Sequence, residues 1–123
     1  MASPITTHIL DTARGVAAAG VPVVLERQSG ETFDWLAEGV TDVDGRISDL
    51  LPEAHRLESG VYRLTFETGD YFAAMAAAPA FYPRVRIEFR IPAPGENGMS
   101  DVRSHFHIPL LLSPFGYTTY RGT

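Results

Sequence analysis

The sequence contains no cysteine, which excludes disulfides and thiolate metal sites. Positive charge is also scarce: 10 Lys and Arg against 15 Asp and Glu give a net charge of −5. The basic residues are scattered singly, so the chain has no basic stripe and no nucleic-acid partner is expected. No apolar run approaches the roughly 20 residues of a membrane-spanning helix, so no membrane partner is expected either. The N-terminal stretch MASPITTHILDTARG lacks a basic leader and an apolar core, so no signal peptide is expected. The final RGT is not an SKL-type peroxisomal address. The expected location is cytoplasmic.

What is present is a globular composition: 123 residues, 45% hydrophobic and 20% charged, enough for one domain with its own core. Period-2 alternation dominates. Tyr62, Leu64 and Phe66 alternate with Val61, Arg63 and Thr65, and Val85, Ile87, Phe89 and Ile91 alternate with Arg84, Arg86, Glu88 and Arg90. Each run reads as a strand with one apolar face. Further strands are expected at 4–10, 21–28, 33–40, 104–112 and 115–121, separated by turn dipeptides such as Asp44-Gly45 and Pro94-Gly95. GDYFAAMAAAP predicts one short helix at about 70–78, with Asp70 as N-cap and Pro79 as stop. PAPGENGMSDV, 92–102, reads as a mobile surface loop. The whole predicts a single all-β domain over 1–123, an antiparallel β-sandwich with one helix.

The chemistry-bearing residues follow from the same alternation. His105 and His107 share one strand face, while Phe106, Ile108 and Leu110 share the other, which is the natural core face. His8, in TTHIL, lies opposite Thr7 and Ile9 and also points outward. Surface solvation is the plain explanation for any one of these histidines. Together they form a candidate acid–base set, since neutral imidazole titrates close to physiological pH. A His-x-His pair with a third histidine is also a possible Zn²⁺ site, but no acidic fourth ligand has an evident position. No metal and no cofactor are therefore expected.

TDVDGRIS, 41–48, is not an EF-hand: its Gly falls at position 4 and its flanks read as strands. It is a tight turn that places Arg46 at the start of the next segment, where a guanidinium can serve as a planar five-donor fork. The ending GYTTYRGT carries too much aromatic character for a disordered tail.

Taken together, THILDTARGVAAAGVPVVLER, TDVDGRI, YRLTFETGDYF, FYPRVRIEF and HFHIPLLLSPFGYTTYRGT resemble the transthyretin-related family. Within it they resemble the 5-hydroxyisourate hydrolase branch, whose Tyr-Arg-Gly-Ser ending is here Tyr120-Arg121-Gly122-Thr123. The resemblance covers almost the whole chain. It implies a transthyretin-like sandwich of two four-stranded sheets, assembled as a homotetramer with active sites between subunits. It implies hydrolysis of 5-hydroxyisourate, a small purine derivative, to 2-oxo-4-hydroxy-4-carboxy-5-ureidoimidazoline in urate degradation. The catalytic residues it implies are His8, Arg46, His107 and Thr123, with His8, Arg46, His105 and Tyr120 binding substrate. The alternative within the same family is a carrier of a small ligand without catalysis.

Overall fold

The computed structural model describes residues 3–75, 79–93 and 105–123. Among the described residues nine strands and one helix follow in order: β1 (Ile5–Asp11), β2 (Val16–Ala17), β3 (Pro22–Ser29), β4 (Thr32–Val40), β5 (Arg46–Ile47), β6 (Gly60–Phe66), α1 (Thr68–Ala74), β7 (Val85–Ile91), β8 (Phe106–Ser113) and β9 (Gly116–Thr119). One sheet has the order β2-β1-β8-β9, with β5 also paired to β1; the other has the order β4-β3-β6-β7.

The alternation read from sequence sets the inward faces. Ile5, Ile9, Val23, Leu25, Leu64, Phe66, Val85 and Leu110 are all buried in one core between the sheets. Each such side chain contributes about 1.5–3 kcal/mol on leaving water. Two polar groups on these faces are paired: the Tyr62 hydroxyl donates to the Glu58 carbonyl at 2.7 Å and Thr7 Oγ1 donates to the Ile108 carbonyl at 2.7 Å.

Three details differ from the expectation. The sandwich contains one parallel pair, β1 with β8, because strands from the two ends of the chain meet side by side without a hairpin between them. Two-residue β2 and β5 escape periodicity, being too short to show any. The helix begins earlier, at Thr68, with Glu67 as N-cap and no side-chain capping bond; Asp70 lies in its first turn. Backbone contacts force that early start. Glu67 N–H donates to the Pro22 carbonyl at 3.0 Å and Gly69 N–H to the Pro83 carbonyl at 3.0 Å. The expected end of the helix at 76–78 and most of the expected loop, 94–102, lie outside the described residues.

The turn before β5 is built tightly. Asp42 Oδ1 accepts from the backbone N–H groups of Asp44 at 2.9 Å and Arg46 at 3.0 Å. Gly45 has φ +74°, and a Cβ there would run into the Ile9 carbonyl oxygen and come within 3.2 Å of Ala18 N. Both demands fall on the residue just before Arg46. Gly45→Ala should therefore cost more than the roughly 1–3 kcal/mol of a left-handed non-glycine residue alone. A lowered denaturant midpoint is the expected result; an unchanged midpoint would contradict this account of the turn.

Candidate active site

β1 organises the site because it sits between β5 and β8. His8 pairs with Arg46 across β5 and with Pro109 across β8, while Thr6 pairs with His107. Side chains of paired residues lie on one face, so Thr6, His8, Arg46 and His107 gather on the outer face of the sheet. Thr6, Arg46, Ser48, His105, His107 and Thr123 line a small cavity of about 210 Å3.

His107 in β8 and His105 just before it are held by one hydroxyl. Thr6 Oγ1 lies 2.8 Å from His105 Nε2 and 2.8 Å from His107 Nδ1, and the two rings lie nearly parallel with centroids 6.2 Å apart.

The tail is fixed mainly by its backbone. Gly122 bridges to His107, donating its N–H to the His107 carbonyl at 2.8 Å. A Cβ at Gly122 would meet His107 Cδ2 at 2.6 Å and Pro109 Cγ at 3.2 Å, so only glycine lets the chain lie against the imidazole. Arg121 stacks its guanidinium over Phe106, 4.8 Å from the ring centroid. Thr123 is thereby delivered to the histidine cavity.

Tyr120 is placed differently. The register that pairs Leu110 with Thr119 continues to His107 and Gly122, which sets Tyr120 opposite Pro109 on the outer face. It is 56% exposed and lines a neighbouring cavity of about 440 Å3 between β7 and the tail, not the histidine cavity. His107 borders both cavities.

Electrostatics favour neutral imidazoles. Burial lowers the pKa of His8 below the ordinary 6.5, and the Arg46 guanidinium lowers it further. A hydrogen bond to the Asp44 backbone and the carboxylates of Asp42 and Asp44 oppose this in part. Burial also lowers His107, aided by the charges of His105, Arg46 and His8 and opposed by a hydrogen bond to the Thr6 backbone. An uncharged imidazole can accept a proton from water, and Arg46 can stabilise negative charge developing beside it.

The model of the HIUase/Transthyretin family matches residues 5–122. The chain belongs to that family. Among its relatives, a 5-hydroxyisourate hydrolase of Caulobacter vibrioides is 45% identical, covering 98% of this chain and 99% of its own. One of Deinococcus radiodurans is 43% identical, covering 97% and 95%. The solved 5-hydroxyisourate hydrolase of Klebsiella pneumoniae is 39% identical at a TM-score of 0.77, covering 97% of this chain and 98% of that one. Sea bream transthyretin in complex with thyroxine has a TM-score of 0.83 but 30% identity, covering 98% and 96%. Backbone shape is thus shared by the hydrolase and the transthyretin alike, while the identity to these hydrolases is higher.

Among the sequence candidates in this HIUase/Transthyretin fold, His105, His107, Arg46 and Thr123 meet at one cavity, His8 stands beside Arg46, and Tyr120 lies apart. Four further lining residues, Thr6, Thr7, Ile47 and Ser48, are not among those candidates. Thr6 is within reach of the same alternation: it lies two residues before His8 on one strand face. Among the described residues, no group of three or more His, Asp or Glu side chains is arranged to hold a metal ion.

Two measurements check this geometry. In an NMR titration the ring resonances of His8 and His107 should both show midpoints below 6.5; a midpoint at or above it for either would contradict the environment described. By linkage, the stability tied to these neutral rings is present above the unfolded pKa, about 6.5, and is lost as pH falls through the lower folded values. Gly122→Ala should displace the tail, lowering any activity of the site by about tenfold or more. The thermal midpoint should barely move. Full activity would show that the seam does not place the tail.

Proposed function

We propose that this protein is a 5-hydroxyisourate hydrolase, which opens the six-membered ring of its substrate at the cyclic amide in urate degradation. One observation carries the reading: His105, His107, Arg46 and Thr123 line a single cavity on the outer sheet face, with His8 paired to Arg46. Amide hydrolysis needs a base for water, positive charge for the tetrahedral oxyanion and a means of orienting a flat ligand, and these residues supply all three. His8, or His107 with it, activates water, a role worth about 10²–10⁴-fold. Arg46 binds the carbonyl edge and the developing oxyanion. His105 orients the substrate, and Tyr120 and Thr123 position substrate or water. No metal or other cofactor takes part.

The cavity of about 210 Å3 is smaller than the roughly 300–1,000 Å3 of usual ligand pockets. This supports a site closed by a second copy of the chain, in a homotetramer whose active sites lie between subunits. Tyr120, on the same face but outside the cavity, then belongs to the wall that facing subunits make together. Among the described residues no helix is long and apolar enough to cross a membrane, and we place the enzyme in the cytoplasm.

The nearness of the backbone to a thyroxine-binding transthyretin, TM-score 0.83, favours a second reading, a small-ligand carrier. Urate with urate oxidase generates 5-hydroxyisourate in situ, and this protein should accelerate its decay; saturable binding without acceleration would establish the carrier instead. In that assay His8→Ala and Arg46→Ala should each lower turnover by at least about an order of magnitude with assembly intact. Removal of residues 120–123 should abolish turnover while the sandwich stays folded. Thr123→Ser should be close to neutral. Near-wild-type rates in both alanine variants would remove the assigned roles.

A further inference from the structure

Thr6 is 6% exposed, yet its hydroxyl faces two imidazoles at 2.8 Å each. A hydroxyl has one proton to give, so it cannot donate to both ring nitrogens. At least one nitrogen must carry its own proton and donate to Oγ1. The two tautomers are therefore linked through this one oxygen. The direction of the link follows from the role assigned to His107. A base for water must present a bare ring nitrogen, and Nδ1 is already turned to Thr6 Oγ1, so Nε2 holds the free lone pair and Nδ1 carries the proton. Thr6 is then free to donate to His105 Nε2.

We propose that Thr6 is a positioning residue that sets the tautomers of His107 and His105 and bridges a proton between them. The proposal rests on the hydrolase reading above, with His107 as a water-activating base. In the resting arrangement His107 carries its proton on Nδ1 and presents the bare lone pair of Nε2 to water. His105 carries its proton on Nδ1 and accepts from Thr6 at Nε2.

When the water oxygen bonds to the substrate's carbonyl carbon, one water proton goes to His107 Nε2. The Nδ1 proton of His107 passes to Thr6 Oγ1 as the Thr6 hydroxyl proton passes to His105 Nε2. One hydroxyl, one neutral ring and one imidazolium result, with the charge moved from half-buried His107 to exposed His105. His105 is the more exposed ring, whereas burial and the charges of Arg46 and His8 disfavour imidazolium on His107. The reverse sequence supplies the proton to the leaving nitrogen as the carbon–nitrogen bond breaks.

Thr6→Val keeps the shape and β-branching of the side chain and removes only the bridge; Thr6→Ser keeps the bridge and removes the methyl group. Thr6→Val should lower kcat by about tenfold or more with little change in KM, and Thr6→Ser should restore most of it. A near-wild-type kcat for Thr6→Val, or equal losses in both variants, would overturn the proposal. A second readout needs no substrate. In 15N NMR at pH 8, wild-type His107 and His105 should both be Nδ1-protonated, and Thr6→Val should release both rings toward the ordinary mixture of tautomers. Nε2-protonated His107 in the wild type would overturn the bridge even in an active hydrolase. The expected tautomers in a protein without hydrolase activity would uphold the bridge and refute the hydrolase reading instead.

Discussion

Everything in the site depends on the parallel pairing of β1 with β8. Residues Ile5 to Asp11 face Phe106 to Leu112 one for one, joining segments about a hundred positions apart. Closing so long a loop is entropically slow to reach, although each doubling of its length adds only about 0.6 kcal/mol. The return is large. The inward faces of the two strands share the core through Ile5, Ile9, Ile108 and Leu110, and their outer faces place Thr6 and His8 beside His107. A slip of one residue would turn the histidines inward and the isoleucines outward. Apolar packing on one side of the sheet thus enforces the arrangement of imidazoles on the other.

Much of this is legible in the order of the residues. Strong alternation in 61–66 and 85–91 marks both strands and their buried faces, and the parity of His105 and His107 sets the outward direction of the rings. The turn at Asp44-Gly45 is readable because glycine has few substitutes at positive φ. What escapes has no local signal. Two-residue β5 has no period, yet it carries Arg46 to His8. Asp70 satisfies a local rule for a helix start, while the actual boundary is set by carbonyls of Pro22 and Pro83, distant in sequence. The link from Thr6 to both histidines spans about a hundred residues and exists only once β1 and β8 have met. The separation of Tyr120 from the histidine cavity likewise depends on how the tail crosses Pro109.

The comparison between hydrolase and transthyretin shows how little the backbone decides. The thyroxine-bound transthyretin superposes with a higher TM-score than the Klebsiella hydrolase, at lower identity. A sandwich with an outer sheet face presents side chains to whatever faces it, and the chemistry depends on which side chains those are. Here they are an arginine, three imidazoles, two of them (His8 and His107) with pKa values lowered by burial and neighbouring charge, and a hydroxyl between His105 and His107.

The seam between Gly122 and His107 separates two tasks that one residue often has to share. Placement of the tail falls to a main-chain bond and a missing side chain at 122, with Arg121 stacked on Phe106. The side chain at 123 is therefore relieved of anchoring. A change at 123 leaves that anchoring in place, whereas any side chain at 122 runs into the His107 ring. Neighbouring residues of one short segment thus carry separate duties, one holding the chain in place and the next presenting a side chain to the cavity.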